Sequence, residues 1–156
     1  MISDAIRIAC DALVKPFEGY AKKLPDGSCE AYPDPGTKGD PWTIGYGSTG
    51  SDVRPGVVWS SEQAEDRLQD HMVYFATGVL KLSPGLAQEP DRRLAAVVSF
   101  AYNVGLGNYR VSTFKRRVDA KDWGGACEEI VKWNKAAGRV LNGLTRRRQA
   151  EAAMLS

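Results

Sequence analysis

The segment FEGYAKKLPDGSCEAYPDPGTKGDPWTIGYGSTG, Phe17 to Gly50, decides how this 156-residue chain is read. Its glycines and prolines, the PDG turn at Pro25 to Gly27 and the short TIGYG run break any helical period, and predict tight turns joined by brief strands. Before it, Ser3 to Lys15 sets Ile6, Ile8, Cys10, Leu13 and Val14 mostly on one helical face, with Ser3 as a cap and Pro16 as the interruption. Glu18 is therefore expected just past a short helix. After the segment, Ser60 or Ser61 followed by Glu62 and Glu65 gives a capping signature. Ala64, Leu68, His71 or Met72, Phe75 and Val79 then keep helical spacing to Leu82. A helix of that length, about 30 Å, can bridge two lobes.

The SPG at Ser83 to Gly85 ends that helix, and Pro90 with Asp91 opens a second. Its Leu94 to Phe100 run is apolar enough for the buried centre of a helical lobe, and Gly105 and Gly107 stop it. Further helices are expected at Ser112 to Ala120, Asp122 to Trp133 and Leu144 to Met154, with Trp123 and Trp133 in the core. The expected class is α+β with strands confined to the N-terminal third. The expected organisation is one domain over 1–156: a β-rich lobe at 18–58, a helical lobe from 1–17 and 83–156, and a connecting helix at 60–82.

An apolar content of 43% suits one buried core without a metal or disulfide framework. A net charge of +2 makes no global demand for nucleic acid, although eleven Lys or Arg against five Asp or Glu from Arg110 to Ser156 form a basic C-terminal third. Asp4, Arg7 and Asp11 interrupt the apolar residues of the first helix, so neither an export signal nor a membrane span is expected there. Cys10, Cys29 and Cys127 lack metal-ligand spacing and read as buried thiols, the alternative being that Cys29 reacts or pairs after export.

Acid–base cleavage of a glycosidic bond needs one carboxyl kept protonated in a mostly apolar setting and a second, ionised, to activate water. Glu18, flanked by Phe17 and Gly19, suits the first role; Asp34, in the YPDPG turn, suits the second; Thr43 offers a hydroxyl to hold the water. Taken alone, a Glu at a helix end is also a common solvated charge, and an Asp in PDPG a common turn former.

The same residues carry a resemblance. FEG, AYPDPGT and PWTIGYGSTG resemble the catalytic segment of the phage-type lysozymes, the endolysins of glycoside hydrolase family twenty-four. AAVVSFAYNVGLGNYRVSTFKRRV resembles that family's central helix and following turn, and GGACEEIVKWNKAAGRVLNGLTRRRQAE its C-terminal segment. The resemblance implies a lysozyme-like fold of two lobes around a cleft. It also implies hydrolysis of the β-1,4 bond between N-acetylmuramic acid and N-acetylglucosamine in peptidoglycan, with inversion. Glu18 would be the acid, Asp34 the group that positions or deprotonates water, and Thr43 its orienter. No metal or cofactor is implied.

Two insertions depart from the commonest family spacing, KKLPDGSCEA before Asp34 and PGTKGDPW before Thr43, and they bring in Asp26, Glu30 and Asp40 as rival carboxylates. Asp26 reads as a hairpin tip, Asp40 as too near Thr43, and Glu30 stays open. For substrate binding, Gly45 and Gly47 would let a sugar approach the backbone, or would serve a tight strand pair. By analogy with the family, Tyr102 would meet a sugar ring and Asn103 an acetamido group; packing and capping are the structural alternatives. Thr113 and Asn134, with Ser112, are weaker candidates of the same kind. One of Arg146, Arg147 and Arg148 is expected to pair inward with Glu18 or a neighbouring carboxylate.

The expected setting is a monomeric endolysin that gathers in the host bacterial cytoplasm, depends on a holin for access, and then works on glycan strands in the periplasm or wall; nucleic acid is not an expected partner. A lytic transglycosylase, a non-catalytic wall-binding domain and a nucleic-acid binder are the rival readings.

Overall fold

The computed structural model describes residues 2–34 and 37–156. They form two compact units, Val14–His71 and a larger one made of Met1–Leu13 and Met72–Ser156. The mixed helical and strand class expected above is observed.

The larger unit is helical. After α1 (Ile2–Ile8) and a π-helical turn (Ala9–Val14), its elements are the end of α3 (Ser61–Leu82), a 3₁₀ turn (Pro84–Gln88), α4 (Asp91–Val104), α5 (Leu106–Val111), α6 (Thr113–Asp119), α7 (Trp123–Ile130) and α8 (Asn142–Leu155). α4 is its centre: every residue from Leu94 to Ala101 is buried. It packs against both α1 and α8. The Phe100 ring meets Phe114 at 4.8 Å and Trp133 at 5.4 Å, both edge to face, so truncating it to Ala costs about 3–5 kcal/mol.

A buried charge cluster joins α8 to α4. Glu151 and Arg148 are wholly buried and Arg147 nearly so. The Ser99 hydroxyl donates to Glu151 Oε2. Arg148 Nε lies 2.7 Å from Glu151 Oε1, a contact of opposite charges without the alignment of a good hydrogen bond. Arg146, by contrast, is exposed. The three arginines thus diverge, as successive helical directions require, and two of them leave the basic surface for the core.

Four local expectations are corrected. Strands are not confined to the N-terminal third: β3 (Lys135–Ala136) pairs antiparallel with β4 (Arg139–Val140), because Ala137 and Gly138 both take positive φ and close a tight hairpin. α7 ends at Ile130, short of Trp133, in a turn where the Trp133 N–H donates to the Ile130 carbonyl at 3.1 Å. α5 occupies a stretch read as a stop, with Gly105 in the extended positive-φ conformation between α4 and α5. Gly107 sits inside that short helix. The cap of α3 is reciprocal between Ser60 and Gln63, the Gln63 N–H donating to Ser60 Oγ and the Ser60 N–H to Gln63 Oε1, where Glu62 and Glu65 were expected to serve.

The smaller unit is built from α2 (Lys15–Glu18), β1 (Cys29–Glu30), β2 (Val58–Trp59) and the first part of α3. β1 and β2 pair antiparallel, Cys29 opposite Trp59 and Glu30 opposite Val58. Its core is small: Cys29, Ala31, Ile44, Val53 and Ala64, with Tyr20, Trp42, Tyr46, Val57 and Trp59 packed against it. Along α3, Ala64, Leu68, Met72 and Val79 are buried as the spacing predicts, while Ala76 is buried next to Phe75, which was expected on that face and is only half-buried. Among the described residues no helix is long and apolar enough to cross a membrane.

Candidate functional site

Glu18 is the last residue of α2. The helix stops there because Gly19 takes φ 73 and ψ −179, a conformation open to glycine at no steric cost, and returns its N–H to the Lys15 carbonyl at 3.0 Å. Pro16 does not end the helix as expected; it occupies the first turn of α2, where its missing N–H is harmless. Lys15 anchors this turn, its Nζ lying 2.7 Å from Glu65 Oε1 on α3 and 5.5 Å from the Tyr46 ring centroid.

Thr43 and Asp34 come from the loop that follows β1. Tyr32 and Thr43 exchange both backbone hydrogen bonds, each at 2.9 Å, in an isolated antiparallel bridge. Ile44 and Ser48 do the same one residue later, closing TIGYGS into a tight turn with Gly45 at φ +63 and Gly47 at φ +85. Ile44 and Ala31 point into the core, which turns Thr43 and Tyr32 to the outer face. The Thr43 hydroxyl donates to the Pro41 carbonyl at 3.3 Å. Asp34 Oδ2 accepts the Thr37 N–H at 3.0 Å, and the Asp34 backbone bonds to Gly39 and Lys38, so the carboxylate is braced by its own loop. Pro35 and Gly36, part of the expected PDPG turn and the PGTKGDPW insertion, lie outside the described residues.

Gly47 connects the turn to the acid. A Cβ built on it would lie 2.9 Å from Glu18 Oε2, so the carboxylate of Glu18 rests where Gly47 leaves the turn without a side chain. Tyr32 connects the acid to Asp34. Its phenol is pushed above the usual tyrosine range by burial first, and then by the charges of Glu18 and Asp34. Glu18, Asp34, Thr43, Tyr32 and Gly47 therefore belong to one neighbourhood inside the smaller unit.

The other sequence candidates fall elsewhere. Gly45 is buried, and an added Cβ would sit 3.0 Å from the Ala64 Cβ; helix packing is what requires glycine there. In the helical unit, Tyr102 packs edge to face on Phe75 at 5.4 Å, and Asn103 is exposed. Thr113 accepts a hydrogen bond from Arg116 at 2.9 Å, and Asn134 donates to Thr145 at 3.0 Å across the base of the β3–β4 hairpin. Ser112 caps α6 through the Lys115 N–H. Of the rival carboxylates, Asp26 is exposed and accepts from the Ser28 N–H and hydroxyl, bonds that hold it below the usual carboxylate range. That is hairpin-tip behaviour. Asp40 is exposed, and Glu30 lies on β1 opposite Val58. Cys29 and Cys10 are wholly buried and in no disulfide, as the buried-thiol reading expects.

Sequence reasoning missed Tyr32 and the specific service of Gly47. Tyr32 was legible in the alternation of Ala31, Tyr32, Pro33 and Asp34, which puts the tyrosine and the aspartate on one face. Gly47 was not, because only the fold brings it under Glu18.

Comparison with known proteins follows the same residues. The family model described as phage lysozyme matches residues 17–151. The endolysin of Bacillus phage B103 is 42% identical over 91% of this chain and 50% of its own length, and the SAR-endolysin of Bacteriophage PS119 is 34% identical over 70% and 64%. The chain spans about half the length of the first curated relatives it matches. Among solved structures, an endolysin from Escherichia coli O157:H7 phage FAHEc1 superposes with a TM-score of 0.76 at 32% identity, covering 96% of this chain and 90% of that one. The muramidase domain of SpmX from Asticaccaulis excentricus gives 0.75 at 26% identity, covering 97% and 94%.

Proposed function

The chain belongs to the phage lysozyme family, and on that premise we propose that it is an endolysin that hydrolyses peptidoglycan at the β-1,4 bond between N-acetylmuramic acid and N-acetylglucosamine. The observation that carries this reading is the Glu18 carboxylate seated on Gly47 with Tyr32 feeling the charges of both Glu18 and Asp34. An acid and a base held by one small scaffold is the arrangement glycoside hydrolysis needs.

In this reading the Glu18 carboxyl gives its proton to the glycosidic oxygen as the bond to the anomeric carbon breaks. Water attacks that carbon from the opposite face and passes a proton to Asp34, with Thr43 orienting it, so configuration inverts. An inverting pair leaves room for that water, with carboxyls about 6.5–9.5 Å apart. Tyr102, Asn103, Thr113 and Asn134 are proposed sugar contacts, Tyr102 by its ring and Asn103 by its amide. The enzyme works as a monomer on glycan strands, needs no metal or cofactor, and reaches the wall from the host cytoplasm through a holin-permeabilised membrane. The family names of its relatives support a lytic role.

The test is mass analysis of products from purified peptidoglycan treated with wild type and with Glu18→Gln. Hydrated muramic acid reducing ends from wild type alone are expected. Anhydro ends would make the reaction a transglycosylation that has no use for Asp34, and no release by either protein would leave only wall binding.

A further inference from the structure

We propose that Lys15 is a positioning residue for the acid of this site: its ammonium group, tied to Glu65 and laid over the Tyr46 ring, fixes the end of α2 so that the Glu18 carboxylate keeps its seat on Gly47. The inference rests on the reading of Glu18 as proton donor given above, and names the group that holds that acid in place.

α2 has four residues, Lys15–Glu18, too few to hold a direction by its own hydrogen bonds. What aims Glu18 is therefore whatever grips the turn. Lys15 does so at three points. Its carbonyl accepts the Gly19 N–H at 3.0 Å, closing the turn around Glu18. Its Nζ donates to Glu65 Oε1 at 2.7 Å, on the first turns of α3. The same Nζ lies 5.5 Å from the Tyr46 ring centroid, within cation–π range.

Tyr46 is where these contacts meet the acid. It directly precedes Gly47, against which Glu18 Oε2 rests. Tyr20, just beyond Glu18 and Gly19, packs on the same ring with centroids 5.0 Å apart. Glu18 is thus flanked in the chain by two side chains that both touch the residue beside its seat. A general acid gains from such bracing, because its proton must meet the glycosidic oxygen, and a misplacement of about 1 Å costs on the order of 10²-fold in rate.

Rate and stability should separate at this residue. The Lys15 and Glu65 side chains are 26% and 36% exposed, and an ion pair so placed adds little to folding. Lys15→Met keeps a long apolar stem and removes the charge. On soluble peptidoglycan strands its kcat is expected to fall about 10-fold, with KM near wild type and Tm lowered by no more than about 4 °C. Glu65→Gln should lose a similar share of kcat, and the double variant little more than either alone, because both break one bridge. Lys15→Arg keeps the cation and should recover most of the loss. Wild-type kcat in Lys15→Met, losses that add in the double variant, or a fall in kcat matched by a large drop in Tm would overturn the assignment. Glu18→Gln run beside these separates the two levels. If that variant cleaves like wild type, the functional reading has failed and Lys15 falls with it; if it is inactive while Lys15→Met turns over normally, the hydrolase stands and Lys15 is only an anchor of the fold.

Discussion

The two units spend their residues differently. The helical unit buries the whole Leu94–Ala101 run of α4 and even seals an ion cluster, whereas the smaller unit is built around a cluster of small core residues and two-residue strands. The helical unit also holds a cavity of about 190 Å³ lined by Leu82, Leu86, Val118 and Trp123. Both its carboxylates are engaged, Glu89 with Arg93 and Lys121 and Asp119 with Lys115. The smaller unit has the less regular backbone, yet it carries the candidate acid and base. Regular helices consume their polar groups in building themselves, whereas loops on a rigid scaffold are where functional side chains concentrate.

That contrast is broken most severely by Glu18→Gln. An amide keeps the shape but has no proton to give, so lytic activity should fall by at least about 10³-fold, with a circular-dichroism melt unchanged. A normal melt with normal activity would remove the site from the smaller unit altogether. Asp34→Asn should be nearly as damaging on the same assay, and Thr43→Ser mild.

The reverse pattern is expected in the helical unit. Glu151→Ala strands Arg147 and Arg148 without their buried anion and should cost about 3–5 kcal/mol of stability, read as a lowered urea midpoint. Specific activity of the fraction that remains folded should hold. If activity per folded molecule collapses instead, the two units do not divide the labour in this way.

Two glycines sharpen the comparison within one turn. Gly47→Ala puts a methyl 2.9 Å from Glu18 Oε2, while Gly45→Ala puts one 3.0 Å from Ala64; both also strain a positive φ, at about 1 kcal/mol or more. The former should lose activity out of proportion to stability, by about tenfold for a misplaced acid, and the latter the opposite. Equal effects in kinetics and melting would mean that Glu18 is indifferent to its seat.

The smallest effect is a pH slope. His71, at the end of the smaller unit, is held below its usual range by burial and then by Arg67. A depressed histidine contributes stability that is present above about pH 6.5 and is lost as pH falls through its folded value. Melting temperature should therefore decline on acidification below about pH 6.5, and His71→Gln should flatten that decline. An unchanged slope in the variant assigns it to other groups.

Much of this was legible because it is local. Helical spacing marked the buried face of α3 from Ala64 to Val79, and the apolar run marked α4 as the centre. What escaped was set by partners distant in the chain or by compensating turns. Arg147 and Arg148 read as surface charge until Ser99 and Glu151 are seen beside them. The β3–β4 hairpin was read as helix end and loop, since positive φ at Ala137 has no sequence signature of its own.

From its sequence alone, this protein's main helix periods, the turn-rich character of its N-terminal third, its family resemblance and the chemical identity of Glu18, Asp34 and Thr43 are determined, because spacing, steric preference and side-chain type act over a few residues. Only the tertiary structure decides that Gly47 lies under the Glu18 carboxylate, that Tyr32 stands opposite Thr43 and near both carboxylates, and that two arginines are core residues. Those are contacts between segments far apart in the chain, and their energies depend on the burial and neighbours that folding supplies.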